Sequence, residues 1–333
     1  MIGSDRTDEY HHCRFLNLAE NAKNGGRVYK LKNVFKGITC KRYVKVVGSA
    51  YGWVAILDIY EEPVLVNPFT GAQIRIDADF VMYSSMNFFR KIVLTSDPSV
   101  VNMDFSLAVL YGCQHSLAFY RHKDNQWTWP CSSSYFDIIC HNGHIYGLSK
   151  IYTVDVWDFH SNLPTKVVEV MDLELVTFKS MAKRNLVPAS VTNSQIIMKY
   201  YLVESLGELL IVKRILLHRS ASLLGTNRTI GFVICRLDLE TEQGLVILQT
   251  LPDRALFVGD KEATSISTRD FPELQENSVY FKDDSLGIYS LKEDKASTIG
   301  NLKDELKERF AYWIVPNPCV VQNGNSKSEK EEQ

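Results

Sequence analysis

The stretch from Cys140 to Phe159, CHNGHIYGLSKIYTVDVWDF, decides how the rest of the chain is read. It holds a cysteine, two histidines (His141, His144) and two aspartates (Asp155, Asp158), the residue types of a metal or catalytic site. It also holds Asn142-Gly143 between two apolar runs, the strongest local signal for a two-residue hairpin, because a type I′ turn requires positive φ at both central positions. Read that way, the histidines flank a tight turn. A zinc site needs three or four converging ligands, and no second pair at ligand spacing follows. The Trp157-Asp158 pair does not mark a WD repeat. Gly143-His144 precedes it closely, whereas the two signatures bracket most of a ~40–45-residue unit, and no second WD occurs. The stretch is two strands and a turn.

The same phrasing runs outward in both directions. GWVAILD (Gly52–Asp58) leads through a turn to VLVNPFTG, with Asn67-Pro68 and Thr70-Gly71 as turn dipeptides, and AQIRI resumes an alternating pattern. FSLAVLYG, HSLAFYRH and WTWP follow, then KYYLVES and ELLIVKR about Leu206-Gly207, TIGFVICRLDLE and LVILQTL, RALFVGD, SVYFKDD and LGIYSLK. Strand-like runs recur about every ten residues, the spacing of an all-β sandwich, barrel or propeller. About two dozen strands would overfill a sandwich, and successive hairpins suit radially repeated four-stranded blades. At ~40–50 residues per blade, Tyr29 to Pro316 predicts an all-β propeller of six blades, or seven. Asn301–Trp313, with Leu302, Leu306 and Phe310 at four-residue spacing, predicts one short C-terminal helix. VVEVMDLELV reads equally as strand, and TFKSMAKRNL as a helical or irregular insertion. Residues 1–13 and 321–333 are polar and predict disorder around a propeller spanning 14–320.

Totals exclude several function classes. The chain has 333 residues, 45% of them hydrophobic, 23% charged, and a net charge of −2. Acids and bases are interspersed, so there is no field to draw in nucleic acid or anionic lipid. The apolar runs are too short for a helical membrane span. Seven cysteines without a C-x-x-C pair or a secretory leader suit free thiols in the cytosol or nucleus. No nucleophile elbow, phosphate loop or dinucleotide fingerprint is present: GSAYG places its serine one position early. Asp283-Asp284 in KDDSLG is turn chemistry, and no segment has calcium-loop spacing. The residues therefore predict no catalytic, cofactor or metal site. Aromatic rings are abundant, and large rigid rings near loop ends make good interface anchors. WTWPCSSSYF, with Trp127, Trp129, Tyr135 and Phe136, is the segment singled out for partner binding, although blade-to-blade packing accounts for such rings equally well.

VGSAYGWVAILD…VLVNPFTGAQIRI, KIVLTSDP, AVLYG…LAFYRHKDNQWTW, YFDIICHNGHIYGLS…VDVWDF, YYLVESLGELLIVKR, GFVICRLDLE, LPDRALFVGD and SVYFKDD…GIYSL occur in this order. Together they resemble the plant F-box-associated β-propeller family of the kinase-inhibitor-receptor type, from about Arg14 to Cys319. The resemblance implies a non-enzymatic propeller that recognises a protein substrate. In complete members an F-box hands that substrate to a cullin-RING ubiquitin ligase through a Skp-type adaptor. Only MIGSDRTDEYHH precedes the similarity, too short for a helical F-box. The expectation is thus protein binding without the adaptor-binding element. The other expectation is a propeller enzyme or carbohydrate-binding domain using the central channel.

Overall fold

The computed structural model of the chain describes residues 2–4, 13–17, 27–31, 34–39, 44–77, 88–100, 104–130, 133–159, 163–170, 172–184, 195–218, 227–238, 244–282, 286–299 and 313–314. Among them lie twenty-four strands and one helix.

Five blades form the propeller. Blade 1 is β4–β7 (Lys45–Ala50, Trp53–Leu57, Pro63–Val66, Gln73–Arg75) and blade 2 is β8–β11 (Phe89–Leu94, Ser106–Tyr111, Ser116–Arg121, Gln126–Thr128). Blade 3 is β12–β15 (Tyr135–His141, His144–Ser149, Thr153–Trp157, Lys166–Glu169), and blade 4 is β16–β19 (Ile196–Ser205, Glu208–His218, Asn227–Leu237, Leu245–Leu248). Blade 5, β20–β24 (Arg254–Val258, Ala263–Ser267, Ser278–Lys282, Leu286–Ser290, Lys295–Thr298), is ordered β21-β20-β22-β23-β24. β1 (Ile2–Ser4), β2 (Cys13–Asn17) and β3 (Arg27–Leu31) make a separate three-stranded sheet.

The blade count corrects the expected six or seven. The number of strands was legible, but strands do not divide evenly among blades. The first three are spent on a small sheet, and blade 5 takes a fifth strand because β20 pairs on both sides, antiparallel to β21 and parallel to β22. The helix is also placed differently. Among the described residues helix occurs only as α1 (Asp172–Lys183), between blades 3 and 4. The expected C-terminal helix at Asn301–Trp313 lies outside the described residues apart from Trp313, which is not helical. α1 buries Leu173, Thr177 and Met181, spaced four apart on one face. Leu173 and Met181 pack on the core that blades 3 and 4 share.

Burial follows each strand's distance from the axis. Second strands are covered on both faces by neighbouring blades: all five residues of β5 are buried. Outermost strands face solvent, as in β7 and β24, where no residue is fully buried. This is why WVAIL is unbroken apolar and QIR is not. First strands line the axis and alternate between core and channel. β4 packs on β8, β8 on β12, β12 on β16 and β16 on β21. Gly48 in β4 permits the close approach to β8, since a β-carbon there would overlap the Ile92 carbonyl oxygen.

The hairpin that opened the sequence reading forms as expected. Asn142 and Gly143 have φ of 48° and 74°, and His141 pairs with His144 across the turn.

Candidate interaction face and central channel

Because β4, β8, β12, β16 and β21 run in one direction, the turns that follow them share one end of the ring. Contacts between neighbouring turns mark that end. The Tyr51 hydroxyl donates to the Thr95 carbonyl, Trp53 Nε1 donates to Asp97 and Ser99, and Ser205 Oγ meets Ser265 Oγ at 2.8 Å. At this end every blade exposes a large apolar residue: Tyr51 and Phe69 from blade 1, Val100 from blade 2, Leu163 from blade 3, Leu206 from blade 4 and Phe271 from blade 5. Two of them occupy costly backbone. Tyr51-Gly52 and Leu206-Gly207 make the same positive-φ turn as Asn142-Gly143, with φ of 53° and 57° at the non-glycine residue. Asparagine tolerates that conformation, but a bulky residue there costs ~1 kcal/mol or more. Leu206 accepts this cost while 72% exposed.

The residues singled out from WTWPCSSSYF are dispersed. Trp127 is half-buried in blade 2, its ring 4.9 Å from Tyr120 and its Nε1 donating to the Asp77 carbonyl. Trp129 is exposed and stacks beside it at 6.5 Å. Tyr135 is fully buried. Its hydroxyl donates to Asp155 and accepts from Trp157 Nε1, and desolvation raises its pKa. Phe136 is half-buried against Tyr200 at 4.3 Å, where blade 3 meets blade 4. The two aspartates of the opening stretch part company too: Asp155 is buried in this hydrogen-bond set, while Asp158 follows β14 as a half-buried residue. Among the described residues no three His, Cys, Asp or Glu side chains are grouped to hold a metal.

The axis carries charge that the sequence reading overlooked. Lys91 of β8 and Asp137 of β12 form a buried ion pair at 2.5 Å. Asp137 also accepts from the backbone N–H groups of Ile138 and of Leu202 in β16, so one carboxylate ties three blades together. From blade 5, Lys261 crosses the axis and donates to the Arg90 carbonyl. Glu262 is buried, and its Oε1 accepts from the backbone N–H of Trp313. Burial pushes the Glu262 carboxyl up to about 8 and the Lys261 ammonium down to about 8. The available signal was charge inside apolar runs, Arg90 and Lys91 in FFRKIVL and Asp137 in YFDIIC, where a core position would be apolar.

Trp313 joins the last blade to the first. Ser49 Oγ of blade 1 donates to its carbonyl at 2.8 Å, its indole N–H donates to the Val258 carbonyl at 3.0 Å, and its ring meets Phe257 edge-on. Ile314 packs on the core of blade 1.

The profile of the KIB1-4 beta-propeller matches residues 16–298, most of the chain and all five blades. The chain belongs to the KIB1-4 beta-propeller family. No curated protein matches it. Similar solved structures include BBS1N in complex with ARL6DN (10% identity, 72% of this chain and 71% of that one, TM-score 0.35). YCF48 bound to D1 peptide is similar at 9% identity over 88% of each chain, TM-score 0.35. A puromycin-hydrolyzing peptidase of Mycobacterium tuberculosis is similar at 10% identity over 82% of this chain and 40% of that one, TM-score 0.36. Scores this low add nothing to the description of this KIB1-4 propeller.

Proposed function

We propose that this propeller is a non-enzymatic protein-recognition module, of the kind that holds the substrate in F-box receptors of SCF-type ubiquitin ligases, acting in the cytosol or nucleus. The observation that carries the reading is the apolar residue that each blade exposes at one end of the ring, with Tyr51 and Leu206 held there in unfavourable backbone. Strain and exposure together have no use in folding and are characteristic of a binding surface. A ring of five blades supplies a rigid frame, so residues far apart in sequence form one pre-arranged surface and little ordering entropy is lost on association.

Affinity capture from the source tissue tests it. The wild-type chain is compared with a Leu206→Asp/Phe271→Asp double variant and with Tyr60→Ser as a control, Tyr60 being exposed at the opposite end of blade 1. A specific partner retained by Tyr60→Ser and lost by the double variant is the expected result. Equal capture by all three would refute the face. Recovery of a Skp-type adaptor and cullin with the partner would support the ligase assignment, and their absence would leave binding alone.

A further inference from the structure

The end of the ring where the first strands begin is cationic. Lys45 opens β4, Arg90 and Lys91 lie near the start of β8, and Lys199 lies in the first half of β16. Lys261 precedes β21, and Lys150 follows β13 with its N–H on the Ser134 carbonyl, beside the start of β12. Three carboxylates answer three of these. Glu61 pairs with Lys45, Asp137 with Lys91, and Asp260 gives both oxygens to Lys199.

The other three have backbone carbonyls instead. Arg90 Nε donates to Gly112 at 2.9 Å, Lys150 Nζ to Gln114 at 3.3 Å and Lys261 Nζ to Arg90. Among the described residues none of the three has a carboxylate within ion-pair distance. These contacts also gather them. A β-bulge between Phe89 and Lys91 re-aims Arg90 toward the turn between β9 and β10, and Gly112 and Gln114 both belong to that turn. Lys261 arrives on the main chain of Arg90 itself. Burial first, then Lys150, Arg90 and Lys261, lower the pKa of His115 in the same turn, against the hydrogen bond from its Nδ1 to the Tyr135 carbonyl. Arg90 and Lys261 are half-buried, so salt screens them less than surface charges. Each cation has spent one donor, whereas a guanidinium has five and an ammonium three.

We infer that this end of the channel is a binding site for a small soluble molecule carrying linked phosphates, of which pyrophosphate is the simplest. Arg90 offers the planar fork that takes phosphate oxygens in pairs, and Lys150 and Lys261 act as point charges. A single phosphate group carries about −1.5 to −2 and leaves positive charge over. Two linked phosphates come closer to balancing three cations and supply more acceptor oxygens than two linked carboxylates. The site lies at the opposite end of the ring from the apolar face and uses none of its residues, so either reading can fail alone.

Isothermal titration of the full chain at about pH 7, below the value of about 8 to which burial lowers Lys261, tests the site. Pyrophosphate is expected to bind saturably, with orthophosphate and malonate at least about tenfold weaker. Arg90→Gln and Lys150→Gln should each weaken pyrophosphate about tenfold or more, the worth of one charge-assisted hydrogen bond. Lys123→Gln removes an exposed charge at the other end of the ring, between β10 and β11, and should change nothing. Lys150 is exposed, so its variant is expected to fold even if Arg90→Gln does not. Malonate binding as tightly as pyrophosphate would overturn the inference, as would unchanged heat in Lys150→Gln or an equal loss in Lys123→Gln. So would the lack of saturable heat from pyrophosphate up to about 1 mM. Sedimentation with phosphatidylinositol bisphosphate vesicles separates the two sources of such phosphates. The chain is expected to stay in the supernatant, and co-sedimentation reversed by pyrophosphate would assign the site to a lipid headgroup and refute a soluble ligand.

Discussion

Two seams of the ring hold neighbouring blades by different means. Between blades 2, 3 and 4, Asp137 binds Lys91 on one side and the Leu202 N–H on the other, with every partner supplied by strands of the blades themselves. Between blades 5 and 1, Trp313, from beyond the last strand, bridges Ser49 on one side and Glu262 and Val258 on the other. The first seam is built into the sheets. The second is a latch, and it leaves one Glu262 carboxyl oxygen buried without a hydrogen bond among the described residues. A propeller must close its ring somewhere, and here the closure is made by a residue outside the blades.

The largest effect is expected at the built-in seam. Asp137→Ala strands the Lys91 ammonium in the core and should lower unfolding free energy by ~3–5 kcal/mol, read from urea midpoints. Lys91→Met combined with Asp137→Leu should recover most of it, because two apolar residues replace an ion pair without leaving a buried charge. A double variant as unstable as Asp137→Ala would mean that the carboxylate's bonds to Ile138 and Leu202, and not its pairing with Lys91, hold the seam.

At the latch, Trp313→Ala should cost about 3 kcal/mol, the lower part of the range for a buried aromatic truncated to alanine. A loss equal to that of Asp137→Ala would erase the contrast between the seams.

The latch should also respond to pH. Glu262 titrates near 8 in the fold against an ordinary 4.5, so the unfolded chain ionises first, and its contribution to stability falls as pH rises from about 4.5 to about 8. Lys261 titrates near 8 against 10.5, so above about 8 the folded chain releases its proton first and stability recovers toward 10.5. Lys91, Lys45, Arg90, Asp260 and the Trp313 N–H are among the groups that bear on this pair. Thermal melts should show a minimum near pH 8, with the acidic limb worth on the order of a few kcal/mol. Glu262→Gln should flatten that limb. An unchanged limb in the variant would assign it to other carboxyls.

The smallest effect has the most telling sign. Leu206→Asn relieves the positive-φ turn and should stabilise the chain by ~0.5–1 kcal/mol while weakening partner capture. Destabilisation would show that Leu206 packs on its own blade and is not held out for a partner.

Much of this architecture was readable in the residues. Asn142-Gly143 gave its hairpin because only a few residue types suit that turn, and the unbroken apolar runs marked second strands because both faces of a blade are covered. Blade number was not legible. Pairing of β20 with both β21 and β22 is a long-range choice, and no local pattern separates an added strand from the start of a new blade. α1 was obscured because VVEVMDLELV suits strand as well as helix; the chain changes state between Glu169 and Asp172, where Leu173, Thr177 and Met181 find a surface to cover. WTWPCSSSYF could not be divided in advance because aromatic content marks core and interface alike: Tyr135 serves the core, and Trp129 is exposed. Leu206 carried a different signal, an apolar residue in the position where a turn prefers asparagine.

Hydrogen exchange of the wild-type chain and Trp313→Ala measures the contrast between the seams most directly. Protection is expected to fall in β4 and β21, which flank the latch, and to persist in β12 and β16 across the Asp137 seam. Equal loss in all four strands, or no loss in β4 and β21, would contradict a ring that is fixed on one side and latched on the other.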